Sequence, residues 1–179
     1  HELLFKTFFL GCVIPIPILL ISTYTSILSE NTFIYTLVGI ALVEEGVKYI
    51  TLLYYNFPKK SFNEPYDGII YSVVLTMGFA LVENVIYVIQ DDTGSLAILR
   101  MLTAIPAHAT YGIIMGYFLG KSKMENNNKT KNLILALLIP TLIHGVYDYF
   151  ALTDQMGLLV LIVIFGVVYS LKAIKIHQQ

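Results

Sequence analysis

The sequence predicts an all-α fold, a polytopic transmembrane helical bundle of about six transmembrane helices, forming a single domain over residues 1–179. Of the 179 residues, 56% are hydrophobic and only 13% are charged, and the mean hydropathy is +0.73. A soluble domain carries about 25% charged residues to keep its surface hydrated. The apolar residues also fall into six stretches, each near the roughly 20 residues that a helix needs to cross the hydrocarbon. Most of the surface is therefore expected to contact a lipid bilayer.

Short polar segments join the apolar stretches. No connection is long enough to form a separate soluble domain. The asparagine- and lysine-rich run at 121–131 is interpreted as a solvated loop, and the QDDTGS segment at 90–95 as another link. The predicted spans are residues 8–28, 33–55, 67–90, 97–120, 132–152 and 156–175.

The distribution of lysine and arginine predicts the orientation. Alternate ends of the six spans define two sides of the membrane; Arg100 stands alone on one side, and Lys48 falls within a span. An excess of basic residues marks the cytoplasmic side. Both termini are therefore expected to be cytoplasmic. The nine basic residues on that side are Lys6, Lys59, Lys60, Lys121, Lys123, Lys129, Lys131, Lys172 and Lys175.

Composition and motifs exclude several classes of partner and chemistry. A net charge of −1 offers no basic surface for nucleic acid, and we expect neither a nucleic acid nor a nucleotide as a partner. Cys12 is the single cysteine, so an internal disulfide is excluded. Cys12 also lacks polar neighbours on its span, and no Gly-x-Ser-x-Gly motif is present. These absences disfavour a cysteine or serine nucleophile.

Several polar and ionisable side chains fall inside the predicted spans. An ionisable group at the bilayer centre costs at least about 2.5–3.5 kcal/mol on insertion scales, so each one is expected to have a purpose. The second to fifth spans all contribute, and the similar depth of these groups predicts one polar site in the central-to-outer half of the bilayer. The candidate site residues are Glu44, Glu45, Lys48, Glu83, Asn84, His108, His144 and Asp148.

Helical spacing predicts two contacts within this site. Lys48 follows Glu45 by three residues and Glu44 by four, so its ammonium group can neutralise either acid. His144 and Asp148 are four residues apart. The carboxylate of Asp148 can therefore hold one tautomer of the imidazole, or the two side chains can share a metal ion.

Residues near the candidate site are interpreted as packing elements. Pro106 and Pro140 each remove a helical hydrogen bond close to a histidine and are expected to kink their helices. Glycines at four-residue spacing allow close helix contact. The other packing residues are the glycine stripe Gly112, Gly116 and Gly120 and the tyrosines Tyr87, Tyr111 and Tyr147.

Five short motifs occur in a fixed order between residues 44 and 148. They are Glu44-Glu45-x-x-Lys48, Glu64-Pro65-Tyr66-Asp67-Gly68-Ile69-Ile70-Tyr71, Gly78-Phe79-Ala80-x-x-Glu83-Asn84, His108-Ala109 and His144-x-x-x-Asp148. In this order they resemble the PrsW family of intramembrane proteases. That family is related to the type II CAAX-processing proteases, the bacterial Abi proteases and the scaffold subunit APH-1. The CAAX relatives have a differently spaced arginine in place of Lys48, which argues against a prenylated substrate.

The resemblance implies a site-1 type protease in a bacterial cell membrane. Such an enzyme cuts a single-pass anti-sigma factor on or near the outer face and so starts a stress response. The implied partner is a single-pass membrane protein substrate within the lipid bilayer. By the same resemblance, the paired acids are Glu44 and Glu45, and the remaining polar positions of the site are Glu83, His108, His144 and Asp148.

Two mechanisms of peptide hydrolysis stay open for these residues. In the first, Glu44 or Glu45 is the general base and His108 aligns the water, while His144 and Asp148 support the oxyanion. In the second, the histidines and one or two acids hold a divalent metal such as zinc, and a glutamate deprotonates the bound water. No HExxH motif is present, so a metal site would not be of the ordinary zinc-protease type.

Three alternatives have weaker support. An aspartyl dyad of Asp67 and Asp148 is rejected because about 24 Å of membrane depth would separate the two residues. A non-catalytic scaffold like APH-1 has little use for the adjacent acids Glu44 and Glu45. A proton- or cation-coupled transporter is disfavoured by the small size of the chain and by the absence of repeats.

Overall fold

The computed structural model describes residues 1–90 and 95–177, and within these ranges the chain is helical without any strand. Six helical segments follow one another along the chain. The prediction of an all-α bundle is therefore confirmed, and each predicted span corresponds to one helix. The helices are α1 (Glu2–Glu30), α2 (32–56), α3 (Pro65–Gln90), α4 (Ser95–Met124), α5 (Lys129–Leu152) and α6 (Met156–His177).

The outer surface of the bundle is strongly apolar. Four helices, α1, α3, α4 and α5, are long and apolar enough to cross a membrane, and the apolar part of α6, Met156–Lys172, is shorter. Large side chains such as Ile27 and Phe165 are 80% and 75% exposed. Apolar surface of this extent requires lipid around it. The protein is thus a multi-pass membrane protein.

Two predicted boundaries are wrong in instructive ways. Helix α1 begins at Glu2 instead of residue 8, and an ion pair between Glu2 and Lys6 lies on its first turn. The predicted loop at 121–131 is mostly helical: α4 continues to Met124, and α5 begins at Lys129 after a short 3₁₀ turn. Hydropathy marks where a helix leaves the hydrocarbon, whereas the helix itself continues into water. Residues 91–94 of the predicted QDDTGS link lie outside the described residues.

Helix α2 contains two π-helical segments that the sequence did not indicate. Tyr35–Ala41 and Leu52–Asn56 have the wider i→i+5 geometry, and they flank the α-helical part Leu42–Thr51. Segments of this kind are rare and are frequent at functional sites. The α-helical part between them carries the paired acids of the candidate site.

Glycines bring α3 and α4 into backbone contact. A Cβ atom on Gly116 would collide with the backbone of Gly68, and one on Gly120 would collide with the backbone of Pro65. A Cβ atom on Gly112 would lie 3.1 Å from Oγ1 of Thr76. The predicted role of the glycine stripe in close packing is confirmed. This contact fixes α4, which carries His108, against α3, which carries Glu83.

A second close approach joins α5 to α2. A Cβ atom on Gly145 would lie 2.9 Å from the backbone Cα of Leu37, so a larger residue would have to push the two helices apart. Gly145 directly follows His144, and the contact therefore brings His144 to the helix that carries Glu45. Helices α4 and α5 both continue as α-helices through Pro106 and Pro140.

Candidate active site

The paired acids of α2 share one buried cation. Nζ of Lys48 lies 2.8 Å from Oε1 of Glu45 and 3.4 Å from Oε2 of Glu44. The side chains of Lys48 and Glu45 are completely buried, whereas Glu44 retains slight exposure. The ammonium group also lies 3.7 Å from the centre of the Phe79 ring, which adds a cation–π contact. The contacts predicted from the helical spacing are therefore present.

His144 lies between three carboxylates. Its Nδ1 atom is 2.9 Å from Oε1 of Glu45, and its Nε2 atom is 3.3 Å from Oδ2 of Asp148. The same Nε2 atom is 3.9 Å from Oε2 of Glu44. Oε1 of Glu45 therefore accepts hydrogen bonds from both Lys48 and His144. These contacts join α5 to α2 at the centre of the site.

A second acid–imidazole pair joins α3 to α4. Nε2 of His108 is 2.8 Å from Oε2 of Glu83. Nη2 of Arg100 lies 3.0 Å from the same Glu83 oxygen, and Nε of Arg100 donates to Oδ1 of Asn84 at 2.8 Å. The guanidinium carbon is also 3.8 Å from the centre of the Tyr87 ring. Arg100 thus holds Glu83 and Asn84 in place.

Aromatic rings fix the orientation of the two histidines. Tyr111 stacks on His144 with a centroid separation of 4.7 Å and an interplanar angle of 18°. The rings of His108 and His144 meet edge to face at 5.4 Å, and Phe79 contacts His108 at the same distance. The two acid–imidazole pairs therefore lie side by side. Both imidazole rings are buried.

A cavity of about 220 Å³ adjoins the two pairs. Its polar wall combines acids, imidazoles and hydroxyl groups, while small and aliphatic side chains line the rest. Such a concave space with convergent polar groups is the usual form of a small binding or reaction site. The polar lining residues are Glu83, Tyr87, Arg100, Thr103, His108, Tyr111, His144, Tyr147 and Asp148.

The structure brings all eight candidate residues into one cluster. Lys48 and the paired acids meet His144 and Asp148, whereas Asn84 joins the cluster through Arg100. Asp67 lies apart from it: its Oδ2 atom accepts hydrogen bonds from the backbone nitrogens of Asn63 and Glu64 before α3. This helix-capping role agrees with the rejection of an aspartyl dyad.

Two residues of the site were missed by the sequence analysis. Arg100 was interpreted only as a charge on the outer side, although it contacts Glu83 and Asn84. Tyr111 was interpreted as a packing aromatic, although it lines the cavity beside His144. Tyr111 lies three residues after His108, so both side chains share one helical face. This spacing could have identified Tyr111 as a site residue.

A multi-pass helical bundle with acids and histidines gathered beside a cavity has the features of a membrane-embedded functional site. The profile described as PrsW family intramembrane metalloprotease matches residues 1–172. The chain belongs to the PrsW family of intramembrane metalloproteases. It is accordingly an intramembrane peptidase of bacteria.

Individual relatives agree with this assignment. Protease PrsW of Oceanobacillus iheyensis is 39% identical over 149 residues, which cover 82% of this chain and 69% of that protein. Protease PrsW of Clostridioides difficile is 36% identical over 177 residues, covering 92% and 74%. Protease PrsW of Halalkalibacterium halodurans is 34% identical over 181 residues, covering 97% and 83%. No solved structure gives a significant match.

The family description implies a metal ion, and the site residues fit one. One ligand atom each from Glu44, Glu83 and His108 lies within 4.8 Å of the others. Carboxylate and imidazole ligands are those that zinc accepts. A second group, Glu44 with Glu45 and His144, meets the same distance limit, but its Glu45 is completely buried, whereas Glu83 and His108 of the first group both line the cavity. The first group is therefore the better candidate for a metal centre.

The net charge of the cluster is also compatible with a bound metal ion. Four carboxylates face two permanent cations, Lys48 and Arg100. With neutral imidazoles, two negative charges would stay uncompensated inside the membrane, which is costly. One divalent cation, or two protonated histidines, would balance them.

Proposed function

We propose that this chain is a site-1 type endopeptidase that hydrolyses a peptide bond of a single-pass membrane protein such as an anti-sigma factor. The observation that carries the proposal is the approach of Glu44 to Glu83 and His108, whose ligand atoms lie within 4.8 Å of one another. Oε2 of Glu83 and Nε2 of His108 are already 2.8 Å apart, so the water of this proposal lies between Glu44 and that pair. Each hydrogen bond to it would span about 2.7–3.0 Å. Peptide hydrolysis needs a water held in this way beside a base.

Glu44 is the better general base of the paired acids. Its Oε2 atom makes only long contacts, at 3.4 Å to Lys48 and 3.9 Å to His144. Glu45 is completely buried, and its Oε1 atom is held by two short hydrogen bonds. A base must be able to accept a proton from water, and Glu44 has the weaker competing partners. Glu45 then acts as a positioning residue that holds Lys48 and His144.

His108 aligns the attacking water in this proposal. Its hydrogen bond to Glu83 at 2.8 Å fixes the ring, and Arg100 fixes Glu83 in turn. The water oxygen attacks the peptide carbonyl carbon while Glu44 takes the proton. The C–N bond then breaks, and the leaving amine takes up that proton. Lys48 offsets one of the two negative charges of the paired acids, so the group is neutral while Glu44 holds the proton.

His144 and Asp148 support the region where the oxyanion develops. Both line the cavity, and Nε2 of His144 is 3.3 Å from Oδ2 of Asp148. A fixed, water-poor environment strengthens the hydrogen bonds that stabilise a developing oxyanion. The pair therefore provides a rigid wall opposite the water site.

A metal-dependent version of the same hydrolysis is the second candidate, favoured by the compact ligand group and the charge balance described above. Glu44, Glu83 and His108 would hold a divalent cation such as zinc. When bound, it would supply Lewis-acid polarisation of the carbonyl and a more acidic water. The roles of Glu45, Lys48 and Arg100 as positioning residues are the same in both versions.

We also propose that both termini are cytoplasmic, so that the site opens toward the outer half of the membrane. The nine basic residues at one set of helix ends support this orientation. Arg100, the single cation assigned to the other side, lies at the cavity. In a Cys12→Ser background, Lys175→Cys should react with an impermeant thiol reagent only from the cytoplasmic face. Labelling from the outer face would reverse the proposed orientation.

The test of the proposed activity is cleavage of a single-pass anti-sigma-type substrate by the purified chain in liposomes. The wild type should release product, and Glu44→Gln should release none, because the amide cannot act as a base. Glu125→Gln is the matched control, since Glu125 is exposed and contacts only Lys121 among the described residues. Absence of cleavage by the wild type across a panel of such substrates would refute the proposed function. Equal cleavage by Glu44→Gln would refute the role of Glu44.

A further inference from the structure

The cavity needs a hydrogen-bond donor for the oxyanion, and most of its donors already have partners. The two ring nitrogens of His144 face Glu45 and Asp148. Nη2 of Arg100 is paired with Glu83, and Nε is bonded to Asn84. Nδ1 of His144 and the Nη2 and Nε atoms of Arg100 would have to break charge-assisted hydrogen bonds before they could serve a substrate. Nε2 of His144 makes only an ion-pair contact with Asp148, whose Oδ2 atom has no hydrogen-bond partner among the described residues.

The hydroxyl groups of the cavity wall also differ in whether they have a hydrogen-bond partner. Tyr147 donates to Oγ1 of Thr103 at 3.1 Å, and Thr103 donates to the backbone oxygen of Leu99 at 2.8 Å. The hydroxyl of Tyr111 is buried and has no hydrogen-bond partner among the described residues. Tyr111 lines the cavity, and its hydroxyl, like Nδ1 of His108, is not already committed to a hydrogen bond.

The ring of Tyr111 is held rigidly at this position. It is 1% exposed, stacks on His144 at 4.7 Å and meets the edge of His108 at 5.5 Å. A donor fixed before the reaction needs no reorganisation when charge develops, and this is the main requirement of an oxyanion site.

Among the described residues, unpartnered buried hydroxyls also occur away from the site, at Ser72, Thr76 and Ser170, so it is the position of Tyr111 at the cavity that distinguishes its hydroxyl. Leaving such a group without a hydrogen bond costs about 1–3 kcal/mol. A substrate carbonyl oxygen in the cavity would supply the missing acceptor. The unpartnered hydroxyl therefore destabilises the free enzyme, and a hydrogen bond to the bound substrate removes this destabilisation.

We propose that the Tyr111 hydroxyl donates a hydrogen bond to the peptide carbonyl oxygen as it becomes the oxyanion. As the water oxygen bonds to the carbonyl carbon, the π electron pair moves onto the carbonyl oxygen beside Tyr111. Glu44 takes the proton of the water, and the hydroxyl of Tyr111 keeps its own. When the C–N bond breaks, the C=O bond re-forms and the amine takes the proton from Glu44. This assignment rests on the proposed peptidase function.

The test compares Tyr111→Phe with Tyr71→Phe in the liposome cleavage assay. Tyr111→Phe removes only an unpartnered hydroxyl, so kcat should fall about 100-fold with little change in KM or melting temperature. Tyr71→Phe is the matched control, because it removes a buried hydroxyl that contacts Ser61 at 3.2 Å, outside the cavity lining. It should lower the melting temperature while leaving kcat unchanged.

The outcomes separate this assignment from the proposed function. If the wild type cleaves, Glu44→Gln does not, and Tyr111→Phe cleaves with the wild-type kcat, the assignment of Tyr111 is wrong while the peptidase stands. A raised KM with unchanged kcat would likewise overturn it. If Tyr111→Phe does not fold, fluorotyrosines at position 111 keep the hydroxyl and make it more acidic. Below the pH at which these fluorotyrosines ionise, kcat should change with the acidity of the phenol. A kcat that does not depend on phenol acidity would overturn the assignment.

Discussion

Nδ1 of His144 lies 2.9 Å from Oε1 of Glu45, a carboxylate 99 residues earlier in the chain. This contact joins α5 to α2, and both side chains are almost completely inaccessible. Lys48 binds the same oxygen from one turn along α2. Glu45 is therefore the anion that compensates a buried ammonium and a buried imidazole at once.

Removal of this anion should destabilise the fold. In Glu45→Ala, Lys48 and His144 lose the carboxylate that they share, and breaking a buried pair in this way costs about 3–5 kcal/mol. Unfolding in detergent should report that loss, whereas Glu125→Ala at the surface should change little. Adding Lys48→Met to Glu45→Ala should recover part of the lost free energy, since the unpaired ammonium is then absent. Strict additivity of the two changes would contradict the proposed coupling.

The close contact of α3 and α4 yields a second prediction. In Gly116→Ala the new methyl group meets the backbone of Gly68, and the helices must separate. Overpacking of this kind costs about 1–3 kcal/mol, and the displaced α4 should also reduce cleavage because it carries His108. Gly157→Ala is the control, since a Cβ atom there has no neighbour within 4 Å among the described residues. Similar unfolding curves for the two variants would show that the glycine stripe is not needed for packing.

The helices and the acid–lysine contacts were predictable from the sequence because both depend on local periodicity. Lys48 lies three and four residues from the paired acids, and the observed contacts follow directly from that spacing. The limits of α1 and of the 121–131 segment were not predictable, since hydropathy reports the depth of the hydrocarbon and not the end of a helix. The π-helical segment Tyr35–Ala41 left no recognisable pattern either.

The long-range contacts of the site were beyond the sequence. Nothing in the order of residues shows that His108 pairs with Glu83 while His144 pairs with Glu45. That choice depends on how glycines such as Gly145 set the helix spacing. Arg100 was overlooked for a related reason: the positive-inside rule treats it as a marker of topology, and its side chain instead turns into the cavity.

The metal-dependent version of the mechanism predicts one divalent cation per chain, held by Glu44, Glu83 and His108. Elemental analysis of the purified protein should find about one equivalent of a metal such as zinc. The double variant Glu83→Gln/His108→Ala should lose it, whereas Glu125→Gln should retain it. A chelator should then abolish cleavage, and added zinc should restore it. Full cleavage by metal-free protein would instead leave water activation to Glu44 alone.

Arg100 should control the rate through the position of Glu83. Its guanidinium group binds Oε2 of Glu83 at 3.0 Å and Oδ1 of Asn84 at 2.8 Å, and that Glu83 oxygen also holds His108. In Arg100→Gln, Glu83 loses its cation and His108 loses a fixed partner. Loss of a partner that orients an active-site ligand typically costs 10–100-fold, and we expect kcat to fall by about that factor.

The conservative substitution distinguishes geometry from charge. Arg100→Lys keeps a positive charge near Glu83 but loses the planar fork that reaches two acceptors. It should therefore recover only part of the wild-type kcat and should leave Asn84 without its donor. Lys121→Gln, at the far end of α4, should cleave at the wild-type rate. If Arg100→Lys were fully active, charge alone would be sufficient, and the two-point contact with Glu83 and Asn84 would have no part in positioning His108.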